Sequence, residues 1–442
     1  MRLGRLLLSG AVAALVACAL PAAGQADDGL RAPRLPALDN LAAGPGAWRD
    51  GLVGPRVEGL HSPRPPPRAT APVATVAELK AAIKAAQPGT TIELQPGTYT
   101  FSGVRIDVTR PGSPKLPIVV RAPALGAVRL QFSLLEGFRV LAPFWIFENL
   151  VIEGTCETDH RCEHAFHIVG DAAGTVIQNN WVTDFNAAVK VNGKDGRYPD
   201  AGIIRRNLFT NNQPRKTDRP ITVLDIVSVS RWRVQRNIIA DFAKDGGNFT
   251  SYGAFFKGAG EDNIFEQNLV RCELRHSGQR RIGFSFGGGR TGRRFCRDGS
   301  CSAEHRGGIA RSNVIMHCSE AGIHLNKSAD TLIHNNALIA TQGIELLRAS
   351  TDAMIVNNLL DGSIRAREGA TYTATNNVVG SALYFDAAGG DLRLGNGEAV
   401  RGRGRSLPEG GLDLCGQPYD AAAPDIGPIQ YDAPGGCASG LR

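Results

Sequence analysis

Several cationic side chains in the second half of the chain have the types and spacing that proton-transfer chemistry requires. Lys327 lies in the phrase Asn326-Lys327-Ser328, and Arg348 follows about one repeat later. Lys257 ends the apolar run that begins at Tyr252. An amine whose pKa is depressed by neighbouring cations can remove a proton from carbon, and a second cation can stabilise the negative charge that develops. Lys327, Arg348 and Lys257 are therefore candidate catalytic residues.

The stretch 273–308 concentrates positive charge. It holds ten arginines and histidines, although the formal net charge of the whole chain is only +7. We expect one long inserted loop that walls a groove and attracts a polyanion. A solvated loop pinned by a local disulfide is the alternative. Arg280, Arg281 and Arg290 are candidate substrate-binding residues.

Three further residues complete the candidate site. Asp225 is an isolated acid in the apolar phrase TVLDIV, where an outward orientation lines a groove and an inward one demands a partner. His324 precedes Lys327 and is a further candidate for substrate binding. Glu320 is the candidate metal ligand. The acids and histidines from Cys156 to His167 form an alternative metal-binding cluster, provided that His164 and His167 converge.

A short phrase of apolar residues around an asparagine recurs along the chain and indicates a repeat. The interval falls to about 20–22 residues at its shortest, which suits three short strands and three turns per coil of a β-solenoid. Leucine-rich repeats have a similar period, but here Val, Ile, Leu and Phe interchange freely, as buried parallel strands allow. We expect the asparagines to form a structural ladder. They are Asn149, Asn180, Asn207, Asn237, Asn268, Asn313, Asn336, Asn358 and Asn377.

The start of the repeat region carries the signature of a cap. A capping box at Thr75–Glu78 precedes a short amphipathic helix, and PGTTIELQPGTY follows it. This arrangement resembles the N-terminal cap of right-handed parallel β-helix proteins of the pectate-lyase-like superfamily. The resemblance implies an all-β fold: a single-stranded right-handed parallel β-helix of about 9–11 coils over 73–385. It would follow a Pro-rich linker or draped segment at 27–72 and precede a C-terminal tail at 386–442 that caps the last coil.

The residues around Lys327 carry a second resemblance. The phrase from Cys318 to Ser328, the Asn335-Asn336 pair and the phrase ending at Arg348 are similar to the chondroitinase B and alginate lyase family. The resemblance implies a catalytic Lys327 and Arg348. It also implies two acids that help to hold Ca²⁺, but only Glu320 matches, since Gly322 stands at the other position. Ca²⁺ is therefore left open as a cofactor, and no other cofactor is expected.

The N-terminus and the cysteines point to export. Residues 1–26 have a basic start, an apolar run and a small-residue cleavage site, so we expect a signal peptide and a secreted or periplasmic protein. A lipobox-like phrase ending at Cys18 is the alternative, and membrane association is expected only if this cysteine is lipidated. Eight other cysteines then suggest disulfides. We expect Cys156–Cys162, Cys296–Cys301 and Cys415–Cys437 from spacing, and Cys272–Cys318 by elimination; a zinc site is the competing interpretation.

These expectations combine into a functional hypothesis. An exported β-helix with a cationic groove fits an acidic polysaccharide, which makes a monomeric polysaccharide lyase acting by β-elimination the leading interpretation. The alternatives are a uronan C5 epimerase and a non-catalytic glycan-binding protein. A hydrolase that uses two carboxylates is less favoured, because the sequence shows no clustered pair of aspartates. Nucleic acid is not expected as a partner, because aromatic residues are not interleaved with the basic ones.

Overall fold

The computed structural model describes residues 52–60, 67–288, 290–380 and 397–431, and the backbone of two short strands between 384 and 394. Its only α-helix in that part of the chain, α1 (Val76–Ala85), has 10 residues, and no described helix is suited to crossing a bilayer. The expected signal peptide, Cys18 and Cys437 lie outside the described residues.

Most of the described chain winds into ten complete coils of three strands, and equivalent strands of successive coils pair in parallel to form three long sheets. Sheet one has twelve strands: β1 (Ala69–Val73), β2 (Thr90–Leu94), β5 (Ile118–Arg121), β8 (Trp145–Glu148), β11 (Val176–Gln178), β14 (Ile203–Arg205), β17 (Arg233–Gln235), β21 (Ile264–Glu266), β25 (Ile309–Arg311), β29 (Thr331–His334), β32 (Asp352–Val356) and β35 (Thr371–Thr375).

Sheet two has eleven strands: β3 (Gly97–Ser102), β6 (Val128–Ser133), β9 (Val151–Gly154), β12 (Trp181–Thr183), β15 (Leu208–Thr210), β18 (Ile238–Ala240), β22 (Leu269–Arg271), β26 (Val314–Met316), β30 (Ala337–Ile339), β33 (Leu359–Leu360) and β36 (Val378–Val379). Sheet three has ten: β4 (Ile106–Val108), β7 (Glu136–Val140), β10 (His164–Val169), β13 (Val189–Asn192), β16 (Ile221–Val227), β19 (Thr250–Lys257), β23 (Arg280–Phe286), β27 (Ile323–Asn326), β31 (Gly343–Leu347) and β34 (Ser363–Arg367).

Two small sheets complete the described strands. Three two-residue strands pair in parallel at the bend between sheets three and one: β20 (Gly260–Glu261), β24 (His305–Arg306) and β28 (Ser328–Ala329). Strands β37 (Tyr384–Asp386) and β38 (Asp391–Leu394) pair antiparallel.

The interior of the coils is a continuous apolar stack. Strands buried on their inner face are rich in Val, Ile, Leu and Phe, as expected for parallel sheets. Aromatic rings stack between neighbouring coils, for example Phe256 on Phe286 with centroids 5.8 Å apart. The expected all-β parallel β-helix is therefore confirmed.

An asparagine ladder runs through the bend between sheets one and two, which we call the ladder bend. Each amide oxygen accepts from the backbone and side-chain NH groups of the preceding asparagine, at 2.9–3.1 Å, from Asn180 to Asn377. Two details correct the expectation. Asn149 is not in the ladder, because Leu150 occupies that position and donates to Asn180. The left-handed residue is the one before each ladder asparagine, such as Asn179 with φ 57°.

The N-terminal cap forms as expected, but the β-helix starts earlier. The Thr75 side chain accepts from the Glu78 backbone NH, and α1 buries Leu79 and Ile83 against the first coil. Strand β1 lies inside the predicted linker and pairs with β2 over its full length. The linker boundary at residue 72 was therefore too late.

Segments from both ends of the chain lie along the ladder bend. Residues 52–60 bond to its outer side chains, as when Asn179 accepts from the Arg56 NH at 2.6 Å. Residues 397–431 continue the same course: Asn335 donates to the Asp425 carbonyl, and Asn357 to that of Arg405. Together they bury the outer face of sheet two. Residues 397–431 thus cover a side of the solenoid instead of capping its last coil, and residues 52–60 lie along the same bend.

Three of the four expected disulfides are present: Cys156–Cys162, Cys272–Cys318 and Cys296–Cys301. The expected partner of Cys415 lies outside the described residues. The expected long loop at 273–308 is interrupted, because its middle forms β23 in sheet three. The inserted residues therefore form two loops at opposite edges of that sheet.

Candidate functional site

Sheet three aligns polar side chains of successive coils on its outer face. Lys190 of β13 is in register with Asp225 of β16, and Asp225 with Phe255 of β19. Leu224 and Ile226, on either side of Asp225, are buried in the core. The alternation of a strand therefore turns Asp225 outward, towards the surface that the draped segments leave uncovered.

A cleft of about 660 Å³ lies over this part of sheet three. One wall comes from the loops that precede β16 and β19, and the other from the loop that follows β23. The lining residues are mainly lysines, amides, apolar groups and aromatic rings: Lys190, Asn192, Pro220, Ile221, Thr222, Asp225, Val227, Lys244, Asn248, Thr250, Tyr252, Phe255, Lys257, Gly288, Arg290, Thr291, Gly292 and Phe295. Three predicted site residues, Asp225, Lys257 and Arg290, thus share one cleft.

Asp225 is held as a carboxylate at the cleft floor. Its Oδ2 accepts from Lys190 Nζ at 2.5 Å, while Oδ1 is buried without a hydrogen-bond partner among the described residues. Burial alone would raise its pKa, but the charges of Lys190 and Lys257 outweigh burial, so the pKa of Asp225 is lowered.

Lys257 is the cleft lysine best suited to act as a base. Burial lowers the pKa of its ammonium group, although Asp225 opposes the shift. The amine lies 4.1 Å from the centre of the Phe255 ring. The Lys257 side chain also packs closely on Gly288, where a Cβ atom would approach its Cδ to 3.0 Å.

The loop after β23 is fastened over two earlier coils. Arg297 makes two hydrogen bonds to the Asp200 carboxylate, at 2.7 and 3.0 Å, and lies 4.4 Å from the Tyr198 ring. The fully buried Glu304 accepts from Gly288 and Thr291 at 2.8–2.9 Å. These contacts position the second wall of the cleft.

Ion pairs neutralise much of the predicted basic patch. Arg275 pairs with Asp241 at 2.7 Å, and Arg306 with Asp330 at 2.8 Å. Arg280 pairs with Glu320 at 3.1 Å, so the predicted metal ligand already takes part in an ion pair. Within the described chain, no acidic partner is found for three exposed arginines of the cleft loop: Arg290, Arg293 and Arg294. The patch is thus smaller than its sequence indicated.

Two predicted substrate-binding residues are buried. Arg281 has no exposed surface and donates to the carbonyls of Cys272 and His276 at 2.9 and 2.5 Å. His324 is 4% exposed, contacts Ser285 Oγ through Nδ1 at 3.0 Å, and has its pKa lowered to about 4 by burial. In this conformation a polymer cannot reach either side chain.

Lys327 and Arg348 occupy the same left-handed position of consecutive coils, with φ 60° and 79°. The Lys327 NH donates to the Leu347 carbonyl, so the two residues are neighbours, as the sequence predicted. Neither lines the cleft. Arg348 forms an ion pair with Glu368 of the next coil. Two separate cationic constellations therefore exist, and the 660 Å³ cleft belongs to the one around Lys257.

The described residues of the cleft and of the predicted metal clusters do not fit a calcium or zinc site. Ca²⁺ takes six to eight oxygen ligands, yet Asp225 is the one carboxylate among the described cleft residues, and it is paired with Lys190. Elsewhere in the described chain, the metal-like group is Cys296, Asp298 and Cys301, whose sulfurs form a disulfide. In the predicted histidine cluster, His164 contacts a carbonyl and His167 is held by Glu136 and Asn192.

The sequence reasoning missed Lys190, Tyr252 and Phe255. Lys190 carried a usable signal, because it stands between two valines of a short strand, as Asp225 stands between Leu224 and Ile226. A single polar residue in such a strand faces outward. The pairing of Lys190 with Asp225 carried no such signal, since 35 residues separate them.

No protein-family model and no curated protein matches the chain. Among solved structures it is similar to pectate lyase Pel9A, with a TM-score of 0.60 and 14% identity over 82% of this chain and 96% of that one. A rhamnogalacturonan lyase gives a TM-score of 0.46 at 14% identity over 72% and 89% of the two chains. A PL6 family polysaccharide lyase from Pseudopedobacter saltans gives 0.38 at 13% identity over 80% and 98%. With its three parallel sheets, the protein has the right-handed parallel β-helix fold.

Proposed function

We propose that the protein is an exported polysaccharide lyase that cleaves a uronic-acid-containing polysaccharide by β-elimination in the cleft over sheet three. The observation that carries the proposal is the setting of Lys257. This lysine lies in an open cleft that has cationic residues on both walls, and burial lowers the pKa of its ammonium group. An amine in this setting is a suitable general base at moderate pH.

The cleft offers the other interactions that the reaction needs. Arg290 is exposed at the cleft wall and can bind the uronate carboxylate, which makes the C5 proton more acidic. Lys257 would remove that proton, and the electron pair would form the C4–C5 double bond as the C4–O4 bond breaks. The Phe255 ring, which lines the cleft, would hold the sugar.

The decisive experiment measures the absorbance of the unsaturated product on a panel of uronans, including alginate, pectate and glycosaminoglycans. Lys257→Met should lower kcat at least 100-fold, because it removes the base but keeps the length of the side chain. Lys84→Met on α1, far from the cleft, is the matched control and should leave activity unchanged. Wild-type protein that binds a uronan without forming product would overturn the lyase assignment.

The same assay separates the remaining alternatives. A C5 epimerase would exchange the C5 hydrogen with solvent and leave chain length unchanged. Loss of turnover in Lys327→Ala or Arg348→Ala, with Lys257→Met still active, would move the site to the neighbouring constellation. A glycan-binding protein would show binding that Arg290→Ala weakens, but no product with any variant.

A further inference from the structure

The Tyr252 hydroxyl stands out among the cleft residues. Tyr252 is only partly exposed, yet none of the described residues forms a hydrogen bond with its hydroxyl. Buried tyrosine hydroxyls usually find a partner. The ring is held in place, because it packs edge-on against Phe255 with centroids 5.6 Å apart. This leaves a fixed hydroxyl at the cleft that no described residue engages and that can donate to a bound molecule.

Phe255 links Tyr252 to the candidate base. All three residues belong to β19, with Tyr252 before Phe255 and Lys257 after it. The Lys257 amine lies 4.1 Å from the centre of the same ring on which Tyr252 packs. A sugar bound over Phe255 would therefore meet an amine towards one end of the strand and a phenol towards the other.

We propose that Tyr252 is the general acid that protonates the leaving O4 oxygen; this rests on the proposed lyase function. Lys257 takes the C5 proton, the C4–C5 double bond forms, the C4–O4 bond breaks, and O4 receives the proton of the Tyr252 hydroxyl. The resulting phenolate regains a proton from the Lys257 ammonium through solvent, which restores both groups. Burial raises the pKa of Tyr252, so the phenol is protonated before each turnover.

Tyr252→Phe tests the proposal, because it keeps the ring contact with Phe255 and removes only the hydroxyl. We expect kcat on the polymer to fall 100- to 10,000-fold, with KM changed less than threefold. Tyr372→Phe, at an exposed tyrosine of β35, is the matched control and should behave as wild type. Thermal unfolding should be unchanged in both variants.

A substrate with a better leaving group makes the test specific for acid catalysis. On a uronoside carrying nitrophenol at O4, the leaving group needs no proton, so Tyr252→Phe should regain activity within about fivefold of wild type, while Lys257→Met should not. Equal losses on both substrates, or a polymer kcat within threefold of wild type, would overturn the role of Tyr252. Wild-type protein inactive on both substrates would instead defeat the proposed function.

Discussion

At Lys257, opposing effects compete for the ionisation of one amine. Burial and the Lys190 charge favour the neutral form, while Asp225 and Glu304 favour the ammonium. Lys190 weakens the effect of Asp225, because it pairs directly with that carboxylate. The Lys190–Asp225 pair would therefore tune the proposed base from the two preceding coils without acting as the base.

Changing this pair should move the pH profile in opposite directions. Asp225→Asn removes a charge that stabilises the ammonium, so the pKa of Lys257 should fall and the acid limb of kcat/KM should shift to lower pH. Lys190→Met removes a like charge and leaves the Asp225 carboxylate without its paired cation, and both changes stabilise the Lys257 ammonium. The acid limb should therefore shift to higher pH. Shifts of at least half a unit in pH–rate profiles are expected; the same direction in both variants would contradict the assignment of Lys257 as base.

Among the elements, the loop after β23 is held in part by the bidentate contact of Arg297 with Asp200. Arg297→Lys keeps the charge but loses the two-pronged geometry towards Asp200, and Lys is a poor substitute at such sites. We expect KM for the polymer to rise several-fold with kcat nearly unchanged, as measured by steady-state kinetics. Arg294→Lys, on the same loop but without an acidic partner among the described residues, is the comparison; an equal effect there would show that charge alone matters.

The asparagine ladder is the element that ties the coils together. Asn237→Ala would leave the buried backbone and side-chain NH groups of Asn207 without an acceptor, and the Ile204 carbonyl without the donor that the Asn237 amide supplies. The expected loss is about 2–4 kcal/mol in the free energy of unfolding, measured with urea. Asn377→Ala, at the partly buried end of the ladder, should cost less. A greater loss at the end than in the middle would contradict this account.

For the whole molecule, buried histidines link stability to pH. Burial lowers the pKa of His305 to about 3 and of His334 to about 4, from about 6.5 in the unfolded chain. Below pH 6.5 the unfolded chain binds more protons at these histidines than the folded protein does. Their contribution to the free energy of unfolding is therefore fully present above pH 6.5 and is lost progressively as the pH falls towards 3–4. His305 also accepts from Asn263 through Nε2 at 2.9 Å, which fits the neutral form.

His305→Gln should flatten this dependence. We expect the slope of unfolding free energy between pH 6.5 and 4 to fall by up to about 1.4 kcal/mol per pH unit, because one titrating group is lost. His160→Gln, at an exposed histidine, should keep the wild-type slope. Denaturant titrations at several pH values measure both variants, and an unchanged slope in His305→Gln would refute the assignment.

The sequence by itself determined the solenoid, because its signals are local and repeat in every coil. Apolar residues around an asparagine set the strands and the bend, and the capping box at Thr75 set the start of α1. Segment boundaries were less well predicted. The strand β1 and the course of the tail depend on pairing with distant coils, which no local pattern encodes.

Only the tertiary structure decided which cations share a cleft. Lys190, Asp225 and Lys257 meet because coils of unequal length still stack in register, and the loops between them absorb the difference. The same stacking buried Arg281 and left Lys327 and Arg348 at a neighbouring bend. The physical reason is that period-two alternation tells which face a side chain takes within its strand, whereas proximity across the sheet depends on the register of the whole stack.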